Sequence, residues 1–124
     1  MADVENTLRQ TMTVVDGAIG AALVDYTSGM ALGTVDGGGG LDLTVAAAGN
    51  TDVVRAKMRT MEMLGLNDGI EDILITLSSQ YHLIRPLTSR TSKGLFLYLA
   101  LDKRRANLAM ARHQLSKIEA ELEV

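Results

Sequence analysis

The chain has no cysteine, no tryptophan, one proline, one phenylalanine and three tyrosines in 124 residues. The lack of cysteine excludes disulfides, thiolate catalysis and cysteine-ligated zinc or iron–sulfur sites together, and it fits a reducing compartment. An aromatic share of 3% argues against a base-stacking platform or a carbohydrate site, because both depend on ring faces. No excess of positive charge is present either: the formal net charge is −3 and the sequence pI about 5.3. Phosphate-backbone recognition rests on a basic domain, so no nucleic-acid partner is expected. No apolar run approaches the ~20 residues that span a bilayer, which argues against membrane insertion. The opening MADVENTLRQ lacks the basic and apolar regions of a signal peptide, so the expected location is cytoplasmic.

Apolar residues nonetheless make up 47% of the chain, enough for a substantial core, which must be built mainly from Leu, Val, Ile, Ala and Met. The length fits one domain spanning residues 1–124. Val4, Leu8, Met12 and Val15 recur at helical spacing and predict a first helix over about residues 3–15. Two apolar runs flank Tyr26-Thr27-Ser28-Gly29 and predict a hairpin, with strands over about Ala18–Asp25 and Met30–Asp36. Gly29 can take the positive φ that closes the turn. Small residues are frequent in both strands, which lets another element pack closely on the sheet.

Four glycines, Gly37 to Gly40, read as a linker, and Asp42 can cap a second helix running to about Leu64, with Gly65 as its C′ residue. At ~22 residues that helix would be ~33 Å long. Its apolar arc carries Leu43, Ala46, Ala47, Asn50, Val54, Met58 and Met61, with a second partial stripe through Val45, Ala48 and Met63. Such width predicts contact with more than one surface. Ile73–Leu77 and Tyr81–Leu87 then read as strands, with Pro86 near a strand end because it removes a ladder donor. Thr88–Gly94 is a polar loop. LFLYLAL, Leu95–Leu101, is apolar throughout, as in a central strand covered on both faces. Leu108, Ala111, Leu115, Ile118 and Leu122 mark a last helix over about Arg105–Leu122. The expected fold is α+β, in the order α-ββ-α-βββ-α, with a five-stranded antiparallel sheet between helical layers.

Catalytic patterns are missing. The Gly37–Gly40 run is followed by Leu41-Asp42 rather than the Lys-Ser/Thr of a phosphate-binding loop, so it reads as a crossover linker and no bound GTP is expected. His82 and His113 stand apart, without the spacing of metal ligands. Ser78-Ser79 lacks the context of a nucleophile elbow. Asp25 and Asp36 end strands, where turn roles are common. No catalytic residue, cofactor or metal is therefore expected. The basic residues form a candidate partner surface: Arg85, Arg90 and Lys93 around the polar loop, and Lys103, Arg104 and Arg105 at the start of the last helix. Glu119, Glu121 and Glu123 lie at that helix's other end. Both ends then oppose the helix dipole, an arrangement that an acidic partner would explain and that a solvated surface tolerates.

The order of elements, with GAALVDYTSGMALG, the helix beginning LDLTVAAAG, the block EDILITLSSQYHLIRPL and LFLYLALD, resembles the roadblock family. These are dynein-light-chain-type domains, also found in bacteria beside Ras-like GTPases. The resemblance covers nearly the whole chain and is nearest to the short, free-standing bacterial members. It implies a profilin-like sandwich that pairs as a homodimer, with long helices side by side and edge strands joined. On this chain those elements are Asp42–Leu64 and Ile73–Leu77, giving an expected interface of Ala47, Asn50, Val54, Met58, Met61, Ile73, Ile75 and Leu77. It further implies a non-enzymatic scaffold for a small Ras-like GTPase. An assembly adaptor working without a GTPase is the alternative, and an enzyme or small-molecule sensor using the sheet–helix cleft a third.

Overall fold

The computed structural model describes residues 3–122. Helix α1 (Val4–Val14) opens at Asp3, whose carboxylate accepts the Asn6 N–H at 2.8 Å, leaving Thr7, Leu8 and Thr11 on its buried side. Strands β1 (Ala18–Asp25) and β2 (Met30–Asp36) form the hairpin. At its tip the Asp25 carboxylate accepts from the Thr27 N–H and hydroxyl, and Gly29 has φ +82°. These hydrogen bonds from Thr27 hold the Asp25 carboxyl below its usual value.

Asp42 caps α2 (Leu43–Met63) by accepting from the Thr44 and Val45 N–H groups, each at 3.1 Å. Gly65, at φ +70°, ends it, and the Leu66 N–H returns to the Met61 carbonyl. Strands β3 (Ile73–Thr76), β4 (Gln80–Pro86) and β5 (Leu95–Asp102) follow, then α3 (Leu108–Glu121). The sheet order is β2-β1-β5-β4-β3, every pair antiparallel. The α+β, α-ββ-α-βββ-α architecture expected from the sequence is the one observed.

Strand β5 occupies the centre, and Leu95 through Leu101 are all buried. Its period-two alternation sends Leu97, Leu99 and Leu101 to one face, where Leu8 of α1 and Ala111, Leu115 and Ile118 of α3 complete a cluster. Phe96, Tyr98 and Ala100 go to the other, against Leu43, Ala47 and Val54 of α2. Tyr98 and Phe96 are the bulkiest fully buried side chains, so the otherwise aliphatic core is anchored by two of the chain's few rings. Small residues set the helix approach as expected. A Cβ on Gly20 would sit 3.3 Å from the Leu43 side chain, and one on Gly33 would sit 2.7 Å from Val4.

Several boundaries differ from the sequence reading, among them the ends of β4 at Pro86 and of β5 at Asp102. The last helix starts at Leu108, capped by Asn107, whose side chain accepts the Met110 N–H. Lys103, Arg104 and Arg105 lie in the preceding turn, so these cations do not oppose the dipole of that helix. Strand β4 begins one residue earlier, at Gln80, and Leu77 falls just beyond β3, its N–H donating to the Gln80 carbonyl. The glycine run is also more than a linker. A Cβ on Gly37 would lie 2.6 Å from Met12 Cε and 2.9 Å from the Ile19 carbonyl oxygen.

Candidate interaction surface

Helix α2 packs over β1 and β2 and reaches β4, which leaves the β3 side of that face open. Leu43, Ala47, Thr51 and Val54 form its buried stripe. Ala47 and Val54 are 0% exposed. Their side chains fill the chain's own core, so neither has surface to offer a second copy, contrary to the sequence expectation. The half-buried positions recur on one flank, while Val45 and Met63 of the second stripe are exposed. Ala46, Asn50, Val53 and Met61 are half-buried there, while Ala48, Asp52, Arg55, Arg59 and Glu62 on the opposite flank are exposed, as a 3.6-residue repeat requires. Met58 and Met61 share a cleft wall with Pro86 and Leu87, so this flank is the one turned toward β4 and β3.

Beyond it, Ile73 and Ile75 of β3 lie on the same sheet face, half-buried. The two sheet edges differ. On β2 the register slips, Leu23 pairing Gly33 and Val24 pairing Ala31, which leaves Leu32 without a partner. Such a bulge blunts an edge against further pairing. Strand β3 pairs with β4 without a register shift, and ILIT carries no charge or proline. Its outer edge is an open template for another strand. Leu77, at 42% exposure, and Leu64 and Leu66, at 64% and 52%, extend the apolar margin.

Two ion pairs fix this half of the sheet. Arg112 of α3 grips Asp72, just before β3, in a bidentate pair at 2.9 and 3.2 Å. Hydrogen bonding to Asp72 raises the guanidinium's already high pKa further. Arg85 of β4 donates to Glu119 at 2.7 Å, and the second Glu119 oxygen accepts the Thr88 N–H at 2.9 Å. That contact tethers the start of the β4–β5 loop.

The loop forms one wall of a cleft of about 650 Å³, whose apolar lining includes Met58, Met61, Leu66 and Ile70 and whose cations are Arg90 and Lys93. The basic residues expected to act together are therefore dispersed. Arg85 is paired with Glu119. Arg90 and Lys93 sit on the cleft, before β5 begins. Arg104 and Arg105 follow its end, and Arg104 lies 3.6 Å from Asp102. An eight-residue strand separates those groups by roughly 25 Å. Glu119, expected to be a destabilising helix end, is the acceptor of this network, and Glu123 lies outside the described residues.

The overall course of the chain matches known structures. Superposed on Myxococcus xanthus MglB it gives a TM-score of 0.80 at 18% identity, covering 95% of this chain and 89% of that one. A Roadblock/LC7 domain from Streptomyces avermitilis gives 0.80 at 14% identity, covering 97% and 94%. The chain has a roadblock fold. A further structure, MglB with a tetrameric arrangement, superposes at 0.79 with 16% identity over 95% of this chain and 83% of that one. No family profile and no curated protein matches the sequence. At identities of 14–18% the likeness is one of fold.

Proposed function

We propose that this one-domain chain is a non-enzymatic, cytoplasmic scaffold that pairs with a second copy and presents the joint surface to a small Ras-like GTPase, modulating its nucleotide cycle or placement. The observation that carries the reading is the open strip between α2 and the sheet edge. Asn50, Met58 and Met61 border it on the helix, and Ile73 and Ile75 on the unblunted β3. Adding a strand to β3 would satisfy its free backbone groups and cover these side chains in one step. The likeness to MglB, one structure of which has a tetrameric arrangement, supports self-association. The sequence resemblance to roadblock domains found beside GTPases supports the partner class. Arg90 and Lys93 on the cleft, with the polarizable Met58 and Met61 beside them, supply a mixed surface suited to a protein partner.

The test has two parts. Sedimentation should show a dimer for the native chain and a monomer for Ile75→Lys, which sets like charges beside the edge; a native monomer at high concentration sinks the pairing. Co-purification with and without a non-hydrolysable GTP analogue should then recover a GTPase preferentially with the analogue. Recovery of other proteins regardless of nucleotide would instead establish the assembly adaptor.

A further inference from the structure

His82 lies on the floor of the open strip. In the register it stands opposite Ile75 of β3 and Ala100 of β5, on the face that α2 covers only in part. Both ring nitrogens are engaged within the chain. Nε2 is 2.8 Å from the Gln80 amide oxygen and Nδ1 is 3.1 Å from the Tyr98 hydroxyl. The amide oxygen only accepts, so Nε2 carries the proton and Nδ1 accepts from Tyr98. The imidazole also meets the Tyr98 ring edge-on, with centroids 5.4 Å apart and planes at 86°. Tyr98 is 1% exposed, so its hydroxyl has no alternative acceptor in bulk water.

This geometry selects the neutral ring. Protonating Nδ1 would place an N–H against the tyrosine hydroxyl, which would then have to accept and would lose the acceptor for its own proton. Charged groups nearby do not compensate. Strand β3 presents Ile75, and β5 presents Tyr98 and Ala100. Asp102, opposite Gln80, is already beside Arg104, and the facing flank of α2 carries the cation Lys57 among Ala46, Asn50, Val53 and Met61. Burial alone accounts for an imidazole held below its ordinary range.

We infer that His82 makes self-association acid-sensitive: the neutral ring completes the apolar floor that a second copy covers, and protonation separates the copies. The inference rests on the pairing reading above. Covering the strip removes more water from His82, so the ring binds a proton less readily in the pair than in the separate copies. Association is therefore undiminished above the ordinary imidazole range. It weakens as pH falls through the separate copies' value, and levels off once the ring also protonates in the pair. With one ring per copy, the association constant falls by up to about 100-fold per pH unit inside that window, about tenfold for each ring.

Sedimentation equilibrium of the full chain at about pH 8 and about pH 5, at fixed ionic strength, should show a measurable loss of association at the acid value. His82→Gln should flatten that dependence, while His113→Gln, an exposed position on α3, should keep it. If His82→Gln fails to fold, NMR titration of the native imidazole gives the same answer, its midpoint dropping as protein concentration rises. Equal association at both pH values, or acid weakening that persists in His82→Gln, overturns the sensor and leaves pairing intact. A monomer at every pH and concentration overturns pairing itself and the sensor with it.

Discussion

Replacing Glu119 with alanine removes three hydrogen bonds at once: one from Arg85 and two from Thr88. The two side chains of the ion pair are only 21% and 10% exposed, so solvent screens the interaction incompletely. A fully buried pair broken on one side costs ~3–5 kcal/mol, and an exposed one less than ~1 kcal/mol. The intermediate burial places Glu119→Ala at about 2–3 kcal/mol, mostly from the Arg85 guanidinium left without its acceptor. In a domain of this size that lowers Tm by roughly 8–15 °C. Urea unfolding followed by circular dichroism should show a lower midpoint with an unchanged slope. Hydrogen exchange should speed up from Thr88 through Gly94, because that loop loses its tether. Arg85→Met with Glu119→Leu should recover most of the loss, since two apolar groups leave no unpaired charge. A loss below about 1 kcal/mol for the single variant, or no recovery in the double, would show that the Arg85–Glu119 pair does not brace the loop.

Gly37→Ala should destabilise by about 1–3 kcal/mol, because its Cβ meets the Ile19 carbonyl at 2.9 Å and backbone does not yield as a side chain does; Gly39→Ala, with its nearest contact at 3.5 Å, serves as the control in the same melt. Gly49→Ala should stabilise by up to about 1 kcal/mol in urea titration, since this mid-helix position faces open space. Leu99→Ala, at 0% exposure in the central strand, should cost ~2–5 kcal/mol, read by the same unfolding curves.

The element order was legible because each element satisfies a local rule. The four-and-three spacing of Leu108 to Leu122 marks a helix face, and Asp42 and Gly65 mark the ends of α2. The unbroken apolar run in β5 marks a strand with no wet side. The basic segment Lys103–Arg105 misled, since charge alone does not reveal that Asn107 is the better cap. Which α2 positions face inward was only half legible. A wide apolar arc shows that two surfaces are touched, but assigning Ala47 and Val54 to one and Met61 to the other requires knowing where the sheet lies. The contacts that brace the candidate surface leave no local trace. Arg112 and Asp72 are 40 positions apart, Arg85 and Glu119 are 34 apart, and His82 and Tyr98 are 16 apart. His82 had no local signal either, because β4 also carries Gln80 and Arg85 and one more polar residue does not stand out.

The unpaired Leu32 on β2 bears on how far any assembly of this chain can grow. A sheet with two smooth edges can be extended indefinitely, copy after copy, into a fibre. Here only one edge is regular enough to accept a neighbour. Two copies meeting through β3 about a twofold axis would turn both irregular edges outward, and the closed symmetry would leave no further template. In such a pair a single extra residue in the hairpin would act as a terminator, limiting the size of the particle from the side of the molecule farthest from the contact.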